Sequence, residues 1–163
     1  MDEKIHYVVA TGIVIKDGKY LIAKRADYEK AFPGLWTVPG GKLEQKDYKN
    51  RKHDTDAGQW YNVVEDLLRR EVMEEVGLEM DKINYLASLT FVRPDGIPSL
   101  VLSMFAEYKS GEVKLGEGLT EYAWVTLEDA KNYKLIQGIY EELEMLDKSL
   151  KGKKIGEWGK EEK

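Results

Sequence analysis

The chain has 163 residues, of which 42% are hydrophobic and 34% are charged, and this balance predicts one folded domain with a single core. The net charge of −5 excludes a surface that coats a nucleic acid polymer, because such a surface needs a basic stripe. The absence of cysteine excludes a disulfide framework, a thiolate nucleophile and a cysteine-based zinc site. The acidity remains compatible with a phosphorylated ligand if divalent cations bridge it to the protein.

The N terminus lacks the features of a secretory signal, because residues 1–4 contain no basic segment followed by an apolar one. The apolar runs are far shorter than the roughly 20 residues that a bilayer-spanning helix needs. We therefore expect a cytoplasmic protein without membrane contact. His6 and His53 lack the pairing of a zinc site and are interpreted as ordinary strand and loop residues.

The first third of the chain predicts a hairpin and a short third strand. β-Branched and aromatic residues favour strands, and Asp17-Gly18 has the sequence of a two-residue hairpin turn. The predicted segments are strands over Ile5–Ile15 and Lys19–Arg25, a polar loop over 26–34, and a short strand over Leu35–Val38 that stops at Pro39-Gly40-Gly41.

The middle of the chain changes from a polar loop to a helix. Residues 45–59 have no apolar period and predict an exposed loop. From Tyr61 to Val76 apolar residues recur at helical spacing, and Gly77 is placed to end this helix in a left-handed conformation. The apolar stripe of the predicted helix consists of Val64, Leu68, Val72 and Val76.

The second half interleaves strands with helices, which predicts an α/β fold with a mixed sheet flanked by helices. Thr126-Leu127-Glu128-Asp129 resembles a capping box and predicts the start of a helix. The other predicted segments are strands over Ile83–Val92, Pro98–Tyr108 and Glu121–Val125, a turn at Arg93-Pro94-Asp95-Gly96, a last helix over Leu135–Leu146, and a loosely held tail after Lys151.

Three acidic residues share one face of the predicted middle helix. Glu71, Glu74 and Glu75 occupy positions i, i+3 and i+4, so their carboxylates lie within one turn. Their mutual repulsion and the negative end of the helix dipole both disfavour this arrangement. A hard cation reverses the sign, because carboxylate oxygens are the ligands that Mg²⁺ prefers. The neighbouring Arg70 and Gly77-Leu78 favour such a site over a merely solvated acidic face.

The run Arg70-Glu71-Val72-Met73-Glu74-Glu75-Val76-Gly77-Leu78 resembles the second half of the Nudix box at every fixed position. The segment Trp36–Glu44 resembles the strand and loop that open the box. The resemblance extends more loosely from Tyr7 to about Ile139. It implies an α/β/α sandwich, with a Nudix domain over 1–150 that carries an insertion at about 45–59, and a separate tail over 151–163.

The resemblance also implies a MutT-like, Mg²⁺-dependent pyrophosphohydrolase that could use Mn²⁺ instead. The expected small-molecule substrate is a nucleoside diphosphate linked to a further group, such as a nucleoside triphosphate that yields the monophosphate and pyrophosphate. Two alternatives are left open: cleavage of ADP-ribose or another nucleotide sugar, and a Nudix-fold sensor that binds a nucleotide without cleaving it. Such sensors usually lose box acids, which this chain retains. A homodimer is also left open.

The first half of the box departs from the family spacing. In the family, six positions separate the opening glycine from the first box glutamate, and eight more lead to the arginine. Eight positions before Arg70 stands Asn62, so about fifteen residues are inserted after Glu44. The missing glutamate is, in the family, a partner that positions the arginine. Asn62 could accept one hydrogen bond from Arg70, and Glu65 and Glu44 are the other candidates.

The metal and catalytic roles are assigned by the resemblance. Glu71 and Glu75 match direct metal ligands or activators of the attacking water, and the carbonyl of Gly40 matches a backbone metal contact. Glu74 and Arg70 complete the catalytic set within the box. For Gly40, a turn glycine without a metal contact is the alternative.

Further along the chain, Gly116-Glu117-Gly118 resembles a loop that supplies one more carboxylate in MutT-type members. Glu117 is therefore a candidate catalytic acid and metal ligand, with an ordinary surface acid as the alternative, and Glu121 is its competitor. Trp36 and Trp124 are interpreted as core or pocket-wall aromatics.

Four residues are assigned to substrate binding. Arg25 aligns with a substrate-contacting arginine of MutT-like proteins, Gly41 opens the box, and Arg93 could bind phosphate in a similar way. For Arg25 a solvated charge at the sheet edge is the alternative, and for Arg93, beside a turn, an ordinary surface charge is the favoured one. Gln137, at the start of the predicted last helix, is the candidate for selecting the nucleobase. Pro94 lies near a proline of ADP-ribose-cleaving members, but a single turn proline is weak support.

Overall fold

The computed structural model describes residues 2–160, which form a sheet with helices on both faces. Its strands are β1 (Tyr7–Lys16), β2 (Lys19–Arg25), β3 (Trp36–Thr37), β4 (Gly40–Lys42), β5 (Glu79–Met80), β6 (Asn84–Val92), β7 (Pro98–Ser110) and β8 (Leu119–Val125). Its helices are α1 (Val63–Val76), α2 (Leu127–Ala130) and α3 (Ile139–Leu150), with a 3-10 turn at Gln45–Asp47. Within residues 2–160, no helix is both long and apolar enough to cross a membrane.

The sheet is mixed, as the sequence predicts. Its main path runs β3-β2-β1-β7-β5, while β4 pairs with β1, β6 with β7, and β8 with β2. The long central pair, β1 and β7, is parallel, and the other pairs are antiparallel. The short strand β4 therefore lies beside the first half of β1, where Gly40 is opposite Thr11.

The side chains of β1 alternate between two hydrophobic cores. Ala10 and Val14 pack on the face covered by α1, and Ile13 and Ile15 pack on the face covered by α3. Burying one large aliphatic side chain stabilises the fold by about 1.5–3 kcal/mol, so this alternation fixes which face each helix covers. Gly12 allows α1 to approach closely, because a Cβ there would lie 3.1 Å from the Leu68 side chain. The predicted α/β/α sandwich is confirmed.

The last helix is displaced from its predicted bounds of Leu135–Leu146. The backbone before it is extended and bonds to β3: the Trp36 N–H donates to the Lys134 carbonyl at 2.8 Å, and the Ile136 N–H donates to the Trp36 carbonyl at 2.8 Å. Since these backbone groups bond to a strand, α3 begins at Ile139, after Gly138 in a left-handed conformation with φ 100°. Gln137 consequently precedes the helix.

Two short strands, β4 and β5, are not predicted from the sequence. β4 and β5 contain three and two residues, which is too short for an alternation of apolar and polar side chains to show. The remaining strands lie within two residues of their predicted bounds, including the third, which spans Trp36–Thr37. Thr126 caps α2 as predicted, since its side chain accepts a hydrogen bond from the Asp129 N–H at 3.1 Å.

The two segments predicted to lack regular structure differ in their contacts. Residues 45–59 form a loop apart from the 3-10 turn. In the tail, the Trp158 indole N–H donates to the Gly138 carbonyl at 3.2 Å, and Ile155 packs against the core beneath α3. The division of the chain at residue 150 stays a prediction, and the last three residues of the tail lie outside the described part of the chain.

Candidate active site

The acidic helix predicted from the sequence is α1. It buries Leu67, Leu68, Val72 and Val76 against the sheet, so the acidic face points away from this core. The helix ends at Gly77, which has φ 72° and whose N–H donates to the carbonyls of Val72 and Met73. This left-handed glycine cap is the predicted one.

The two glycines of β4 lie directly against the acids of α1. The Gly40 N–H donates to the Glu75 carboxylate at 3.0 Å. A Cβ on Gly41 would lie 2.2 Å from the carboxyl group of Glu71. Any side chain at residue 41 would therefore displace this carboxylate. The glycine loop and the acidic helix form one compact site.

The guanidinium group of Arg70 connects the acids on the outer side of this site. It donates two hydrogen bonds to Asp47, one of them at 3.2 Å, and is 3.1 Å from Glu74. Its Nη1 lies 2.9 Å from Glu71. Arginine can contact several acceptors in this way because its planar group carries five N–H donors.

Asp47, and not Asn62, is the main partner of Arg70. The Asp47 side chain is only 1% exposed. Asn62 is exposed and precedes α1 in a left-handed conformation with φ 57°. Glu44 is a more distant contact, with its carboxylate 3.9 Å from Arg70. The position of the missing box glutamate is thus occupied by an aspartate.

The sequence contains a signal for Asp47 that counting backwards from the arginine misses. Asp47 is the sixth residue after Gly41, which is the family's spacing from the opening glycine to the first box acid. The insertion therefore begins after Asp47 and not after Glu44. Twenty-two residues separate Asp47 from Arg70, yet the two side chains are in contact.

The acids of the site differ in their protonation. Burial raises the pKa of Glu75 to about 7; the hydrogen bond from Gly40 lowers it in part, and the negative charge of Glu71 raises it further. Burial also raises the pKa of Glu71, against the opposing effect of Arg70. For Asp47, burial is outweighed by the hydrogen bonds from Arg70 and the Glu44 backbone, and its pKa is lowered. Asp47 is thus held as a carboxylate, while Glu75 is able to exchange a proton near neutral pH.

The loop that contains Glu117 lies at the C-terminal end of α1. The Gly116 N–H donates to the Glu75 carbonyl at 2.8 Å, and a Cβ on Gly116 would lie 2.3 Å from the Glu74 carbonyl. The structure therefore brings the Glu117 loop against the acidic helix, with the Glu117 side chain exposed. Its competitor Glu121 is paired with Lys24 at 3.6 Å. The catalytic role of Glu117 stays a prediction.

The two arginines assigned to substrate binding lie in different surroundings. Arg25 donates to the Ala31 carbonyl at 2.7 Å and pairs with Glu29 at 3.4 Å, and its positive charge partly lowers the pKa of Glu75. Arg93 pairs with Asp95 at 2.9 Å and stacks over the Tyr7 ring at 5.0 Å. The charge of Arg25 thus acts on Glu75, while Arg93 lies at the turn between β6 and β7.

The remaining assigned residues are placed less specifically. Gln137 is exposed just before α3, and its role in base selection stays a prediction. Trp36 packs edge-on against Tyr133 at 4.7 Å, and Trp124 packs against the core beneath α1, so both are core aromatics as interpreted. The His53 ring lies against Trp60 at 4.4 Å.

The donor set of the site fits a hard divalent cation. Within residues 2–160, no three acidic or histidine side chains are arranged so that they could bind a metal ion together. Arg70 contacts Glu71 and Glu74, and the Gly40 N–H donates to Glu75. Mg²⁺ needs only one or two carboxylates, with water and substrate phosphate oxygens completing its shell. Glu71 and Glu75, both half-buried carboxylates beside a glycine backbone, suit that requirement.

One buried acid was missed by the sequence reasoning. Glu142 on α3 is 4% exposed, and it accepts a short hydrogen bond from the Ser103 hydroxyl of β7. Burial raises the pKa of Glu142, and the bond from Ser103 lowers it in part. The apolar spacing of α3 gives no sign that an acid lies on its inner face.

The chain thus combines a three-layer α/β fold with helix carboxylates that lie against a glycine-containing strand. A family model described as the NUDIX domain matches residues 6–146. The chain therefore belongs to the Nudix family. The predictions of a MutT-like Nudix fold and of a hydrolase acting on phosphoric anhydride bonds are confirmed at the level of this family.

Curated relatives and solved structures agree with this assignment. The chain is 29% identical over 134 residues to the nucleoside triphosphatase NudI of Escherichia coli (strain K12), which covers 76% of this chain and 84% of that protein. NudI of Klebsiella pneumoniae (strain 342) is 28% identical with the same coverage.

Two solved structures share the fold at lower identity. The MutT protein from Methanosarcina mazei Go1 superposes with a TM-score of 0.69 at 22% identity and covers 93% of this chain and 99% of that one. The NUDIX domain of Shewanella oneidensis NrtR, solved with ADP ribose, gives a TM-score of 0.63 at 16% identity, covering 91% and 89%. At these identities the likeness shows the fold alone.

Proposed function

We propose that this protein hydrolyses nucleoside triphosphates to the monophosphate and pyrophosphate, with Mg²⁺ as its metal and Mn²⁺ as a substitute. The observation that carries the proposal is the hydrogen bond from the Gly40 N–H to Glu75, with Glu71 beside Gly41 and 2.9 Å from Arg70. The similarity to proteins named nucleoside triphosphatase supports this substrate class over other diphosphate compounds.

Glu71, Glu75 and Gly40 have different roles in the proposed reaction. Water attacks a phosphorus of the triphosphate, one P–O–P bond breaks, and the water's proton passes to a carboxylate oxygen of Glu75. Glu71 and Glu75, with the Gly40 carbonyl, would hold the metal. When bound, the metal neutralises phosphate oxygens and makes the attacking water more acidic.

Positive side chains near the acids would hold the phosphates. Arg25, whose positive charge acts on Glu75, is the first candidate for binding a phosphate oxygen, and Arg93 at the turn between β6 and β7 is the second. Glu117 would add a carboxylate from the loop beside the end of α1. Gln137 is proposed to contact the nucleobase.

The proposal is tested by turnover of a substrate panel with Mg²⁺ and with Mn²⁺. The panel contains the common nucleoside triphosphates, ADP-ribose and a nucleotide sugar. We expect triphosphate hydrolysis by the native protein and a loss of kcat of about 10²–10⁴-fold in Glu75→Gln, since this variant removes the proton acceptor. Glu65→Gln is the matched control, because it alters a carboxylate in the first turn of the same helix, and the carboxylate partners of Arg70 are Glu44, Asp47, Glu71 and Glu74 instead.

Each outcome assigns a function. Hydrolysis of ADP-ribose but not of triphosphates would replace the proposed substrate. Tight binding of a nucleotide without turnover by the native protein would favour the sensor alternative. The cytoplasmic location, the absence of a nucleic acid partner and the homodimer stay predictions.

A further inference from the structure

The segment from Tyr48 to Asn62, here called the inserted segment, separates Asp47 from α1. A long connection normally weakens the pairing of the residues at its ends, because closing a longer loop costs more entropy. The Asp47 side chain is nevertheless buried against Arg70. Some feature of the inserted segment must therefore limit its freedom.

Arg51 is the central residue of the inserted segment. Its guanidinium donates to the Asp54 carboxylate at 2.7 Å and to the Tyr61 carbonyl. It also lies 3.4 Å from Asp66, which belongs to the first turn of α1. One side chain near the start of the segment thus contacts its middle, its end and the helix that follows.

A second set of contacts joins the same points. The Trp60 indole N–H donates to the Arg51 carbonyl at 3.0 Å, and the Trp60 ring packs against Tyr48 at 5.1 Å. The Asp54 carboxylate also accepts the Tyr61 N–H at 2.8 Å. Tyr48 directly follows Asp47 in the chain. The packing of Tyr48 on Trp60 therefore restrains the backbone next to Asp47, the partner of Arg70.

We propose that Arg51 is a positioning residue for the reaction: by closing the inserted segment against α1, it holds Asp47 in place for Arg70, and Arg70 in turn holds Glu71 and Glu74. The predicted effect on kcat rests on the proposed function. The predicted restraint of Asp47 by Arg51 does not, because it can be measured without substrate.

The chemistry of the contacts requires arginine at this position. Ion pairs between partly exposed side chains contribute little individually, so charge alone does not explain a closed segment. The guanidinium reaches two carboxylates and a backbone carbonyl at once because its donors spread over a planar fork. A lysine ammonium keeps the charge but cannot span these acceptors together.

The kinetic test is a double-mutant cycle with Arg51→Ala and Asp47→Asn. If Arg51 acts through Asp47, Arg51→Ala lowers kcat about tenfold with little change in KM, and it has no further effect in the Asp47→Asn background. Arg51→Lys recovers less than half of the lost kcat. Lys52→Ala is the matched control, since it removes a neighbouring exposed cation, and it leaves kcat unchanged.

The structural test is amide hydrogen exchange of the same proteins without substrate. Loss of protection at residues 45–48 in Arg51→Ala, and not in Lys52→Ala, supports the positioning role even if no panel substrate is turned over. Protection lost only within 52–61 overturns it, and so does a lower Tm with unchanged kcat. Independent, multiplying effects of the two substitutions also overturn it. Failure of the native protein to hydrolyse any triphosphate counts against the proposed function alone.

Discussion

The acidic half of α1 and the inserted segment are neighbours in space, but their structures are determined in different ways. In Arg70–Leu78, the helical repeat alone places Glu71, Glu74 and Glu75 on one face, so sequence spacing is sufficient to predict their geometry. In the inserted segment no repeat exists, and order comes from particular side chains such as Arg51 and Trp60. The helical part of the site therefore tolerates little change in sequence spacing, whereas the inserted segment depends on individual side-chain contacts.

The largest effect is expected at the contact between β4 and the acidic helix. Gly41→Ala places a Cβ where the Glu71 carboxyl group lies, at 2.2 Å, and the carboxylate must move. We expect kcat to fall by about 10²-fold or more, because misplacement of a reacting group by about 1 Å has effects of this size. Steady-state kinetics with a triphosphate checks the prediction.

Lys42→Ala is the control for this change, since it alters the next residue of the same strand at an exposed side chain. An active Gly41→Ala protein would show that Glu71 does not need its observed position. The helix would then tolerate more displacement than its close packing suggests.

A smaller effect is expected at the junction of the two regions. Asp47→Asn keeps the shape of the side chain but removes the charge that pairs with Arg70, and we expect kcat to fall about 10–100-fold. Asn62→Gly is the control. Asn62 lies eight residues before Arg70, where the family spacing would place the carboxylate partner of Arg70. This substitution should leave kcat within twofold, and glycine readily adopts the φ of 57° found there. Equal losses in the two variants would contradict the assignment of Asp47.

The smallest effect concerns stability without metal. The folded-state pKa of Glu75 is raised to about 7, so its stabilising contribution is complete below the unfolded pKa and is lost as pH rises from about 4.5 to 7. Glu75→Gln removes this charge, and we expect the free energy of unfolding at pH 8 to rise by about 1–2 kcal/mol, with almost no gain at pH 4. Urea unfolding in chelator at the two pH values measures the difference. A less stable variant at pH 8 would mean that burial of the charge costs little.

The sequence predicts most of the sheet, the acidic helix and its glycine cap, because these features depend on local periodicity. It does not predict the partner of Arg70 when residues are counted from the arginine, since the insertion falls between Asp47 and α1. It also misplaces α3, because extended residues 134–136 bond to β3, a long-range contact that an apolar pattern does not report. Glu142 is missed for a similar reason: its burial is stabilised by a hydrogen bond from Ser103, 39 residues earlier in the chain.

The closed form of the inserted segment has a consequence for engineering this protein. Its two ends are held together by Arg51 and Trp60, while Asp56 and Ala57 at its tip are exposed. Exposed tips of this kind accept foreign sequence with little effect on the body of a protein. A peptide tag or a fluorescent reporter grafted between Asp56 and Ala57 would therefore leave the contacts of Arg51 and Trp60 in place.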